Sequence, residues 1–151
     1  MKSFRLKNSP MTKLLTVALA LFVIVSFHVT AQSSRAEQAL NGKTFTIKMK
    51  KISGKRDGWQ WITDEISFHS GKLKSIVMTK RERFSSPLCI FSIDTSAVKE
   101  TILFEVVAHN PSISQIKWQG TVSGNKITGT AIWTNAQGTQ SYAFSGVEKK
   151  K

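Results

Sequence analysis

A single cysteine, Cys89, rules out an internal disulfide in the monomer. The fold must then be held by packing and sheet hydrogen bonds, with Cys89 expected as a small buried hydrophobe. Acids are also scarce, nine against 22 Lys and Arg, which leaves little for acid–base chemistry. Asp64 and Glu65 are adjacent, so in a strand they point to opposite faces and do not form a carboxylate pair. Glu65 is expected outside, offsetting nearby lysines. No His or carboxylate recurs at metal-ligand spacing, and neither a Gly-x-Ser-x-Gly elbow nor a phosphate-cradling loop before a helix occurs. His69 precedes a turn and His109 ends a strand beside Pro111; both read as solvated positions. No catalytic residue, metal or cofactor is expected, and the chain does not read as an enzyme. No helix or RNA-binding signature supports a nucleic-acid partner.

Long apolar runs are missing except for one. Leu14–Phe27 is a 14-residue, largely apolar run behind a basic segment carrying Lys2, Arg5, Lys7 and Lys13. Val29 and Ala31 follow as the small residues before a cut. This is the pattern of a cleavable signal peptide over 1–31, with Gln32 as the new N-terminus. A bilayer-spanning anchor needs about 20 apolar residues. The expected location is therefore the periplasm or the exterior. Those 31 residues hold four of the 22 basic side chains and none of the nine acids, so residues 32–151 carry +9. Much of that charge lies in 48–56 (KMKKISGKR) and 72–83 (KLKSIVMTKRER). It serves either as a solvated face or as an attraction to an anionic surface such as lipid headgroups or glycan.

Helical periodicity is absent too: no segment keeps a 3.6-residue period for ten residues. After a polar lead-in at 32–39, alternation with period two dominates. Phe45, Ile47 and Met49 share one face of a strand whose other face carries Thr44, Thr46, Lys48 and Lys50. Ser70-Gly71 turns a hairpin that puts Ile66 and Phe68 on the side of Leu73 and Val77. Ile102, Phe104, Val106 and Ala108 line one face of a later strand. Eight strands are expected at roughly 43–52, 64–69, 72–79, 87–93, 100–109, 113–123, 126–134 and 139–147. Hairpin-length connections favour an all-β, antiparallel up-and-down meander closed into a small barrel over 40–148, with 149–151 a basic tail.

The most informative stretch is GTVSGNKITGTAIW, Gly120 to Trp133. A Gly124-Asn125 turn with glycine first pairs Val122 with Ile127, Gly120 with Gly129, Trp118 with Ala131 and Ile116 with Trp133. The next hairpin pairs Ala131 with Tyr142, Gly129 with Phe144 and Ile127 with Gly146. Large residues then stand beside small ones in each row. Either the glycines let the strands coil while a ring covers bare backbone, or they leave a hollow bordered by aromatic residues. The candidate ligand-binding set is Trp118, Gly120, Gly129, Trp133, Tyr142, Phe144 and Phe104. Arg56, Trp59 and Trp61 form a candidate barrel mouth, with core packing as the alternative for the two tryptophans.

Three stretches carry a family likeness: LNGKTFTI opening the first strand, DEISFHSGKLKS as an early hairpin, and WQGTVSGNKITGTAIWTNAQGTQSYAFSG at the close. In layout the chain resembles the calycins, the up-and-down barrels that include lipocalins, and more narrowly small exported bacterial lipocalin-like domains. The lipocalin Gly-x-Trp opening is replaced by Gly42-Lys43-Thr44-Phe45. The resemblance implies a non-enzymatic protein holding a small apolar or aromatic ligand inside the barrel. The competing expectation is an envelope module whose basic outer face docks on an anionic surface or partner.

Overall fold

In a computed structural model, the described residues are 32–54 and 60–150. The expected signal peptide, Arg56 and Trp59 lie outside them. Eight antiparallel strands form one sheet: β1 (Thr44–Ser53), β2 (Trp61–His69), β3 (Lys72–Ser75), β4 (Ile90–Asp94), β5 (Thr101–His109), β6 (Gln115–Ser123), β7 (Lys126–Asn135) and β8 (Gly138–Glu148). Each pairs with its sequence neighbour except β3 with β4, and the last strand pairs with the first, giving the order β3-β2-β1-β8-β7-β6-β5-β4. The sheet curls through 254° into a half-barrel. Between β3 and β4 the ladder gives way to one bridge, Lys72 to Leu88. It is flanked by Leu73 N–H donating to Pro87 O and Cys89 N–H donating to Gly71 O.

The alternation seen in sequence sets the inward face. Phe45, Ile47 and Met49 of β1, Ile66 and Phe68 of β2, and Ile102, Phe104, Val106 and Ala108 of β5 are all buried. Ser70 and Gly71 both have positive φ, the two-residue hairpin turn whose twist suits the flanking strands. Gly124 has φ +59 at the first turn position between β6 and β7, as expected there.

Two helices were not anticipated. Residues 32–40 form α1, where a polar lead-in was expected at 32–39. Ala36 and Leu40, four residues apart, are its buried stripe, and Gly42 at φ +79 ends it. Nine residues with two inward apolar positions are too few to display a helical period. Arg35 pairs with Glu100 at 2.5 Å, and Asn41 Oδ1 accepts from Ser70 N–H. These contacts seat α1 over the barrel end that carries the β2–β3 turn.

The second helix, α2 (Ile76–Glu82), replaces the second half of the strand expected at 72–79. Val77 is therefore helical rather than part of the sheet face with Leu73. Ser75 is the N-cap, its Oγ accepting from Met78 N–H at 3.1 Å. Asp64, an inward acid on β2, accepts from Val77 N–H at 2.9 Å and from the Ser75 hydroxyl. Asp64 and Ser75 are both buried. Two β-branched residues, Ile76 and Val77, favour strand locally, but the cap supplied from across the sheet wins. Lys80 and Arg81 occupy the last turn, favourable against the helix dipole. The Asn110 amide donates to Glu82 O at 3.0 Å, fastening α2 to the β5–β6 turn at the barrel's other end.

Asp64→Ala leaves a part-buried helix N–H and a buried hydroxyl without their acceptor, and is expected to cost about 2–3 kcal/mol. Urea unfolding with an unchanged slope and a lowered midpoint is the expected result; an unchanged midpoint would show that α2 caps itself.

Candidate functional site

The predicted pairings around the glycines are all present. Val122 faces Ile127, Gly120 faces Gly129, Trp118 faces Ala131 and Ile116 faces Trp133. Ala131 faces Tyr142, Gly129 faces Phe144 and Ile127 faces Gly146. Since Phe104 faces Gly120 on β5, one row across four strands reads Phe104–Gly120–Gly129–Phe144. A Cβ built on Gly120 would lie 2.8 Å from Phe104 Cζ, and one on Gly129 would lie 2.6 Å from Phe144 Cζ. Each ring therefore lies over the glycine beside it. The hollow expected beneath the aromatics is occupied by these two rings.

The other candidate residues continue that packing. Trp118 meets Phe144 edge to face at 5.5 Å, Phe104 meets Phe68 at 5.2 Å, and Phe68 meets Phe45 and Phe91. Near the α2 end, Trp133 packs on Phe84 at 6.1 Å. Tyr142 is buried, its hydroxyl donating to Gln140 Oε1 at 2.8 Å. Of the sequence-predicted set, Phe104, Gly120, Gly129, Phe144 and Trp118 are brought together, while Trp133 packs apart, against Phe84. What the glycines leave open is on the other side of the sheet. A shallow groove of about 640 Å³ runs over their backbone, bordered by Ile90, Leu103, Gln119 and Thr130.

Trp61 corrects the expectation of a core tryptophan at the mouth. β2 turns Ile62, Asp64, Ile66 and Phe68 inward, so Trp61 faces outward and is 67% exposed. Its cross-strand partner Lys50 holds an ammonium 5.2 Å from the ring centroid, a cation–π contact. On the same outer surface lie Lys48 of β1 and Lys72 and Lys74 of β3, all exposed. The outward acid of these strands, Glu65, is taken up by Lys149 at 2.8 Å. Among the described residues, Lys48, Lys72 and Lys74 have no acidic partner. A second shallow groove, about 430 Å³, lies across β1, β8 and β7 between Lys48 and Lys126, with Thr46, Thr128 and Ser145 inside it.

Ionisable groups elsewhere serve the frame. Glu105 is held below its ordinary pKa first by hydrogen bonding from Lys117, then from Gln119. Asp94 is lowered by the Ser96 hydroxyl and then the Ser96 amide. Burial pushes the Cys89 thiol up to about 12. His69 and His109 are exposed at opposite ends of the barrel. Among the described residues no three His, Cys, Asp or Glu side chains gather to hold a metal ion, and no helix is long and apolar enough to cross a membrane.

The class defined by this architecture is a curled, all-β antiparallel half-barrel. No protein-family model, curated protein or solved structure matches the chain significantly.

Two outcomes test the packing. Gly129→Ala places a methyl 2.2 Å from Gln119 O and 2.7 Å from Gly120 Cα, backbone that cannot move aside. It should destabilise by about 3 kcal/mol, against about 1 kcal/mol for Gly124→Ala, where only the positive φ is violated. Similar costs in thermal melts would contradict the ring-over-glycine arrangement. Cys89, with its pKa raised from 9.0 to about 12, stays a thiol at pH 9, where an ordinary cysteine is half ionised. Iodoacetamide should therefore label it slowly in the folded protein and rapidly in urea. Because the folded pKa is the higher one, Cys89 costs stability only as pH rises above 9.

Proposed function

We propose that the protein is a non-enzymatic envelope module that docks on an anionic surface through its basic exterior. The observation that carries this is the charge imbalance on β1–β3. Lys48, Lys50, Lys72 and Lys74 face outward there, while Glu65 is already ion-paired with Lys149. A solvated face kept merely soluble would intersperse both signs. A one-sign surface attracts a polyanion, and each lysine near an anionic lipid surface contributes about 1 kcal/mol. The exposed indole of Trp61 beside Lys50 adds an amphipathic side chain of the kind found where apolar and polar media meet. A small apolar ligand inside the barrel draws less support, because the rings of Phe104 and Phe144 lie over the glycines that were read as opening a hollow.

Co-sedimentation with vesicles tests the reading. Binding is expected with anionic vesicles, not with zwitterionic ones, and it should weaken steeply with added salt. Reversing Lys48, Lys72 and Lys74 to Glu should lower affinity at least about a hundredfold. Equal binding to neutral vesicles, or binding indifferent to salt, would refute the proposal.

A further inference from the structure

We infer that the barrel leans onto an anionic bilayer with the rim that carries α2, so that Ile113, Ile52 and Trp61 enter the lipid interface beside the β1–β3 lysine face. This rests on the docking proposed above, names its partner and adds a second contact surface, with Lys50 beside Trp61 joining the two. Strand direction places the C-terminus of β1, the N-terminus of β2, the β5–β6 turn and α2 on this same end. Its projecting tips are apolar: Ile113 is 97% exposed, Trp61 67% and Ile52 57%. Around them stand Lys50 beside Trp61, and Lys80, Arg81 and Arg83 at the C-terminal side of α2, with Asn110 joining α2 to the turn that bears Ile113.

Ile113 is the telling residue. Its φ is +58, a left-handed conformation that a β-branched side chain adopts only at a cost. The turn is firmly made: Asn110 Oδ1 accepts from Ser112 N–H and Ser114 N–H at 3.0 Å each, and Asn110 N–H donates to Ser114 O. Asparagine or glycine would suit that conformation better, and the isoleucine side chain packs against nothing that would repay the strain. An apolar tip held in water at a conformational cost, with cations on the same rim, matches the chemistry of an anionic lipid interface. The apolar tips enter at headgroup depth while the cations meet phosphate and carboxylate groups. A soluble polyanion would engage the cations and leave the tips unused.

The test compares variants of the full chain on phosphatidylserine-containing vesicles. Ile113→Asn should raise the melting temperature by about 3 °C, because the new residue tolerates positive φ. It should also lower vesicle affinity about tenfold while leaving binding to a soluble polyanion such as heparin unchanged. Ile52→Asn should lower vesicle affinity similarly. Brominated lipids should quench a component of the emission that Trp61→Phe removes. Vesicle affinity unchanged in both Asn variants, with no Trp61-dependent quenching, would overturn insertion of the rim and leave docking through the lysine face standing. Failure of the unmutated chain to bind anionic vesicles at low salt would sink both.

Discussion

Two phenylalanine rings lie over two glycines in adjacent strands, and much of the molecule follows from that contact. Gly120 and Gly129 face each other across β6 and β7 with carbonyl oxygens too close to admit any side chain. Strands without side chains at that point can coil tightly, and the bare backbone is shielded because Phe104 and Phe144 arrive from the flanking strands. Burial of each ring contributes about 2–3 kcal/mol, and the edge-to-face contacts with Phe68 and Trp118 extend the shielding along the barrel axis. Gly146, whose Cβ would strike Thr46 O and Ile47, repeats the device where β8 meets β1. In a chain with one cysteine, these close approaches do the work that cross-links do elsewhere.

Phe104 and Phe144 lie over the glycines, and the outer face of the sheet and its two ends are further surfaces for recognition. The ends differ. α1 and its Arg35–Glu100 pair cover one. The other is built from α2 and turns that present cations and apolar tips. The same buried carboxyl group that caps α2, Asp64, thereby fixes where Lys80, Arg81 and Arg83 stand. Core and proposed docking rim are linked through one inward acid on β2.

The strands form an antiparallel meander in which the last pairs with the first. In the row Phe104, Gly120, Gly129 and Phe144, rings lie over backbone where the alternation in sequence also allowed a hollow.

How much of this was legible beforehand depends on the range of the interactions. The β6–β7–β8 register was readable to the residue, because turn chemistry at Gly124-Asn125 and period-two alternation are local, and a one-residue slip would turn every apolar side chain to water. Glu65 outside and Phe45, Ile47 and Met49 inside follow from the same alternation. The two helices were not readable. α1 has too few residues to show a period, and α2 depends on Asp64, eleven positions before the Ser75 cap it supports. On β2 the same alternation puts Asp64 inside with Ile66 and Phe68 and Trp61 outside with Glu65; the expectation of a core tryptophan weighed the size of the indole above that pattern. The sequence by itself thus determined strand count, turn positions and the facing of glycine by glycine, all consequences of local geometry. Only the tertiary structure decided whether the space beside those glycines is hollow or full, because rings on β5 and β8 fill it.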